Sequence, residues 1–396
     1  MKQFADRAFL ALLLAVLLAV PLGWHCGLTR KRQRITKTGL AEAPELTAES
    51  VWDGSFGTEA ESWYSDHAPR PDYAAGAGYL GADEADGPSG GQWNCHGRGM
   101  SCCRSWSLTS TPEAYRYGAV PIAEDFGALS AYVESLGGTF CYVGFPEQAV
   151  YFEDQFPDYL NNHSREAATA DAVFAEALAE QGVDFLNMRE VYDQQGNPAE
   201  YYSAVDHHYR YWGHLRGLPG HFGPSQRAGL GLAGADGGGS GVPVPAPYPY
   251  IGSRNRKLYN LWPNEEQAVI AVQKDPWPLP GGDNGAPSDK PLFVLPASEE
   301  LPTTYNLYMG GDFGETILDT DRPELPNVLV FGDSFTNALE TLLYASFNEM
   351  HSLDLRYYTE QSLKDYIAAY QPDIVLCVQN DTFYYTEGGN NAVWVD

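Results

Sequence analysis

Two short segments of this chain carry the residue types that acyl-transfer chemistry needs. Near the C-terminus, Asn327-Val-Leu-Val-Phe-Gly332-Asp333-Ser334-Phe335 runs an apolar, strand-like stretch into a Gly-Asp-Ser turn, and a helix-like run over 336–347 follows at once. A strand-to-helix turn lifts a serine hydroxyl out of the sheet edge and aims backbone N–H groups of the turn at a developing oxyanion. Upstream, Asp206-His207-His208-Tyr209 supplies a general base and a carboxylate to orient it. Serine, imidazole and carboxylate together point to ester hydrolysis or acyl transfer. Taken singly, each segment has a plainer reading. Gly-Asp-Ser is a common tripeptide, and Asp206 also suits a helix cap with both histidines at the surface.

Those groups need a layered frame, and the pattern of the chain supplies one. Residues 122–136 have the spacing of an amphipathic helix, 140–145 form a buried-strand run, 165–181 read as a helix and 183–186 as a strand. Toward the C-terminus, 328–331 and 374–378 read as strands, with a helix over 362–370 before the second. This alternation predicts an α/β layered fold with a mainly parallel sheet. Gly76-Ala-Gly78-Tyr-Leu-Gly81 matches a dinucleotide-binding pattern, but no strand-like run precedes it and no helical pattern follows, so that reading fails. Cys141 and Cys377 sit inside strand-like runs as buried apolar residues. Cys95-His96 with Cys102-Cys103 fits no standard zinc spacing, so neither metal nor cofactor is expected.

The chain has 396 residues, of which 44% are hydrophobic and 13% aromatic, ample for a packed core. Its formal charge of -28 argues against nucleic acid and against a broad basic face for anionic lipid. Residues 9–24 form an apolar run behind Lys2 and Arg7, short for a membrane span and typical of a signal-peptide core. Residues 1–25 are therefore expected to be a cleaved signal or a signal-anchor, 26–42 a linker, and 43–396 one catalytic domain. Gly23-Trp24-His25 is a poor match to the small residues that precede a lipid-modified cysteine, which argues against lipidation at Cys26. The basic cluster Arg30-Lys31-Arg32-Gln33-Arg34 lies on the side to be exported, against the positive-inside tendency.

Two stretches, 70–109 and 213–247, break the pattern with Gly, Ala, Asp and Ser and no periodicity. Shifted by one base with permitted codons, 70–78 can encode an apolar run that continues Asp66-His-Ala-Pro. The same operation on 213–224 can encode an amphipathic helix after the Asp-x-His segment. True flexible insertions account for the same composition. Sequencing the encoding DNA separates frame errors from insertions.

Taken in order, the motifs resemble the DHHW family of SGNH-hydrolase-like proteins, which is similar to the alginate O-acetyltransferases. The matching stretches are Trp63-Tyr-Ser-Asp66-His67-Ala-Pro69, Tyr201-Tyr-Ser-Ala-Val-Asp206-His207-His208-Tyr209, Tyr308-Met-Gly310-Gly311-Asp312, Gly332-Asp333-Ser334-Phe335 and Leu353-Asp-Leu-Arg356-Tyr-Tyr358. Tyr209 stands where the family has tryptophan. The resemblance implies a three-layer α/β/α fold, with Ser334 as nucleophile, His208 as base and Asp206 as orienter; His207 is the alternative base. The oxyanion hole is expected to use the Ser334 N–H. Asn337, Gly311, Asp312 and Asn380 are further candidates there, each of which also reads as a structural turn residue. Tyr201, Tyr202, Tyr209 and Tyr211 are expected at the surface, where they would stack on sugar. The implied reaction passes an acyl group to a polysaccharide hydroxyl, outside the cytoplasm. The implied donor partner is a membrane-bound O-acyltransferase, and this chain would contact the membrane only through its N-terminus. A carbohydrate esterase with the same triad and a catalytically silent glycan-binding protein are the alternatives.

Overall fold

The structure, a computed structural model, describes residues 112–152, 164–196, 198–211, 242–257, 265–272, 281–288, 291–298 and 301–394. The N-terminal apolar run, the Trp63–Pro69 motif, residues 70–109 and most of 213–247 lie outside them. Among the described residues, no helix is long and apolar enough to cross a membrane.

Apolar runs too short for helices become strands when both of their faces are covered. Strands β1 (Thr139–Phe145), β2 (Asp184–Asn187), β3 (Gly281–Asp283), β4 (Ala286–Ser288), β5 (Glu315–Asp319), β6 (Val328–Gly332), β7 (Glu349–Leu353) and β8 (Ile374–Asn380) form one sheet. It has eight strands in the order β2-β1-β8-β6-β7-β5-β3-β4. Neighbours from β2 to β7 pair in parallel. β5 pairs antiparallel with β7, and β3 and β4 extend that edge antiparallel. A separate ribbon pairs Val242–Pro245 with Val269–Val272, so the glycine-rich stretch 213–247 ends in a strand, not in coil.

Helices α1 (Pro112–Ser135), α2 (Ser164–Glu180), α3 (Met188–Gln195), α4 (Ser253–Lys257), α5 (Phe335–Leu343) and α6 (Leu363–Tyr370) cover this frame. Alternation along each strand splits the core in two. Phe126, Leu129, Phe174, Leu178 and Ile367 of α1, α2 and α6 pack on Phe140, Tyr142, Leu329, Phe331 and Cys377. On the other face, Met188, Tyr192, Phe335 and Leu339 of α3 and α5 pack on Cys141, Val143, Val330 and Val378. The result is the three-layer α/β/α arrangement. α1 starts ten residues before the expected helix because Tyr115 and Ala119 continue the buried stripe of Ile122, Phe126, Leu129 and Val133. Pro121 inside the helix removes one backbone donor, and burial of that first stretch offsets the loss.

The parallel strands share one C-terminal edge, where α/β folds place their sites. Ser334 follows β6, Asp354 follows β7 and Asn380 ends β8. Gly332 lets β6 approach β8 there, since a Cβ at this position would lie 1.8 Å from the Val378 carbonyl oxygen.

Candidate active site

The turn that carries Ser334 is built by Asp333. Its Oδ1 accepts from the Phe335 N–H at 2.8 Å, and its Oδ2 accepts from the Asn380 side chain at 2.8 Å. One carboxylate thus starts α5 and ties the turn to the end of β8. Burial pushes Asp333 up to about 6, against the pull of its Phe335 and Asn380 hydrogen bonds. Ser334 stays half-buried between these anchors.

The partners arrive on a loop pinched at its base, where Tyr202 and Tyr209 form an antiparallel bridge. Within the loop the Ser203 hydroxyl accepts from the N–H groups of Val205 and Asp206 at 3.2 and 3.0 Å. Tyr202 donates its hydroxyl to the Pro146 carbonyl after β1, and Tyr209 donates to the Phe335 carbonyl in α5. These bonds place His208 beside Ser334. Its Nε2 lies 2.8 Å from Ser334 Oγ, across 126 residues of sequence, and its Nδ1 lies 2.7 Å from Asp206 Oδ1. The Tyr305 ring stacks on the imidazole at 3.5 Å with an interplanar angle of 4°.

Both partners are buried, and burial acts on each. Burial first, then the neighbouring His207, pushes His208 down to about 4, so the imidazole is neutral at neutral pH. Burial alone would raise the Asp206 carboxyl. Its contacts with His208 and His207 outweigh that, and hold it well below the usual carboxylate range. Of the two histidines it is His208 whose ring nitrogen meets Ser334 Oγ, while the His207 Nδ1 meets the Ser253 hydroxyl at 2.7 Å.

Of the oxyanion candidates, the Ser334 N–H has no acceptor among the described residues, as an oxyanion donor requires. Asn337 lies in the first turn of α5, and its side chain donates to Asp312 Oδ1 at 2.8 Å. The Gly311 N–H is spent on the Tyr308 carbonyl at 3.2 Å. Asp312 is also 3.7 Å from the Arg356 guanidinium. Asn380 faces Asp333 and also accepts from the Thr382 N–H. The expected sugar platform is corrected: Tyr201, Tyr202, Tyr209 and Tyr211 are all buried. Their hydroxyls do not force them outward, because those of Tyr202 and Tyr209 reach backbone carbonyls within the fold.

Sequence reasoning missed Ser253. Its N–H donates to Asp206 Oδ2 at 2.6 Å and its hydroxyl to Asp206 Oδ1 at 3.2 Å. A serine in a polar stretch gives no local signal of such a role. Gly252 beside it was a possible clue, since a Cβ there would lie 2.1 Å from the Val205 carbonyl oxygen. Among the described residues, Asp206, His207 and His208 alone gather three metal-ligating side chains, within 4.8 Å. Both Nδ1 atoms are engaged in hydrogen bonds.

Fold and side-chain geometry together define a three-layer α/β/α protein with a serine–histidine–aspartate line at the C-terminal sheet edge. The fold is similar to that of Bacillus cereus PatB1, at a TM-score of 0.58 and 20% identity over 71% of this chain and 93% of that one. PatB1 carrying a sulfonyl adduct gives 0.56 and 19%, over 72% and 93%. A DHHW family protein from Eubacterium siraeum DSM 15702 gives 0.52 and 16%, over 68% and 86%. No family model matches the chain, and no curated protein does.

Proposed function

We propose that this protein is an extracytoplasmic O-acyltransferase that passes an acyl group, most simply acetyl, through Ser334 to a polysaccharide hydroxyl. The observation that carries the reading is the continuous line from Asp206 Oδ1 through His208 to Ser334 Oγ, with links of 2.7 and 2.8 Å. Neutral His208 takes the Ser334 proton as Oγ attacks the carbonyl carbon of the acyl donor. The tetrahedral oxyanion meets the Ser334 N–H. Asp206 stabilises the imidazolium, which returns its proton to the leaving group as the acyl-enzyme forms. An acceptor hydroxyl then loses its proton to His208 and attacks the acyl carbon, and Ser334 Oγ leaves with that proton.

The motif order resembling the DHHW family, similar to alginate O-acetyltransferases, supports a sugar acceptor over water. The sulfonyl adduct of PatB1 supports testing Ser334 with the same class of reagent. The apolar run over 9–24 supports export, and a membrane-bound acyltransferase would supply the donor. Incubation with 4-nitrophenyl acetate, with and without an oligosaccharide, tests the transfer. The expected result is acetylated sugar by mass spectrometry and faster nitrophenol release. Release unchanged by sugar, with free acetate as the only product, makes the protein an esterase instead.

A further inference from the structure

We propose that Ser253 is a positioning residue of the triad, fixing the Asp206 carboxylate through both its N–H and its hydroxyl and setting the tautomer of His207. This rests on the acyl-transfer reading of Ser334.

Asp206 Oδ2 accepts the Ser253 N–H at 2.6 Å, and Oδ1 accepts the Ser253 hydroxyl at 3.2 Å. Oδ1 also accepts from the His208 N–H at 3.2 Å and from Nδ1 at 2.7 Å. A hydroxyl has one proton to give and two lone pairs. With that proton on Asp206, Ser253 Oγ accepts from the His207 N–H at 3.2 Å and from His207 Nδ1 at 2.7 Å. His207 is therefore protonated at Nδ1, and its Nε2 carries the lone pair. The other tautomer would turn a lone pair toward Asp206 Oδ1, 3.3 Å away, and draw the hydroxyl off the carboxylate. Ser253 thus joins both histidines to one acid across 47 residues of sequence.

The consequence is mechanical. A carboxylate gripped at both oxygens cannot swing as the imidazolium forms, so His208 Nε2 stays aimed at Ser334 Oγ. Gly252 makes the grip possible by its close approach to Val205, whose carbonyl also accepts the Arg254 N–H at 3.0 Å. The other groups facing this pair are the neutral phenols of Tyr250, Tyr305 and Tyr308, with Arg256 acting on His208. Removing one hydroxyl leaves all of these in place.

The test compares the full chain with Ser253→Ala, Ser253→Cys and Ser253→Thr. Inactivation by phenylmethylsulfonyl fluoride is timed across pH, the modified residue is found by peptide mass spectrometry, and melting is recorded. We expect the parent protein to be modified at Ser334. Ser253→Ala should react about tenfold more slowly, the scale of one hydrogen bond to a charged group. Its acid limb should move to higher pH, because a carboxylate with fewer donors holds the His208 proton more firmly. Ser253→Thr should restore rate and limb. Ser253→Cys fills the site with only a weak donor, so if the alanine variant melts early, a stable but slow cysteine variant supports the role and one as fast as the parent overturns it. A parent protein unmodified at Ser334 sinks the triad reading itself. A parent modified there, with all three variants matching its rate and limb, overturns the role of Ser253 alone. So does a slow alanine variant that threonine does not rescue.

Discussion

Lowering the pH probes the surroundings of His208 directly. Burial and then His207 push this imidazole down to about 4, from a usual value of 6.5. The base accepts the Ser334 proton only when neutral, so kcat/KM should hold its plateau at mild acidity and fall as pH drops through about 4. At about pH 5, roughly nine-tenths of such a histidine is neutral, against about 3% of an unperturbed imidazole, a thirtyfold difference in active base. The lowered value also makes His208 a source of acid lability. Its stabilising contribution is complete above the unfolded value of 6.5 and is lost as pH falls toward about 4. Initial rates of 4-nitrophenyl acetate hydrolysis, read at the isosbestic wavelength, give the profile. Asp333, pushed up to about 6 by burial, titrates in the same range and can add its own inflection. Nitrogen-15 NMR of labelled histidine separates the two. A His208 resonance that titrates near 6.5, with a rate limb there, would refute the argument that burial sets this base.

His208→Ala should lower kcat/KM by about 10³-fold or more, the scale for loss of a triad member. His207→Ala should cost less than about tenfold, since its Nδ1 meets Ser253 and not Ser334; equal losses in the two variants would contradict the assignment of the base. Gly332→Ala drives a Cβ to 1.8 Å from the Val378 oxygen and should cost about 3 kcal/mol in a urea titration, as overpacking does. An unchanged midpoint there would show that β6 and β8 are farther apart than described. Tyr209→Phe removes the side-chain hydrogen bond to the Phe335 carbonyl and should cost about 1 kcal/mol with the Ser334 reactivity reduced. Full stability and reactivity would free Tyr209 of its bracing role.

The central strands were readable because their residues are apolar on both faces. The run expected over 374–378 stops short of Asn380, since Gln379 and Asn380 are polar yet buried at the active edge. Hydropathy cannot register a polar side chain whose partner lies elsewhere in the chain, here Asn391 for Gln379 and Asp333 for Asn380. The antiparallel extension was invisible for a different reason. Gly281-Gly-Asp283 and Ala286-Pro-Ser288 lack β-branched residues and are strands only because β5 offers an open edge. At the site, residue types alone point to Ser334 and to the Asp206-His207-His208 segment, and it is the resemblance to the DHHW family that prefers His208 to His207. Ser253 was not legible, because its role exists only once Gly252 brings the backbone against Val205. The four tyrosines expected at the surface are buried instead, with the hydroxyls of Tyr202 and Tyr209 bonded to carbonyls within the fold.

A covalent acyl group at Ser334 is the centre of the proposed mechanism, and trapping it is the direct test. The protein is mixed with 4-nitrophenyl acetate, quenched in acid within seconds, digested and read by peptide mass spectrometry. One acetyl on the peptide bearing Ser334, absent in Ser334→Ala and greatly reduced in His208→Ala, is the expected result. Turnover that continues with Ser334 unmodified, or with the acetyl on another side chain, would contradict it.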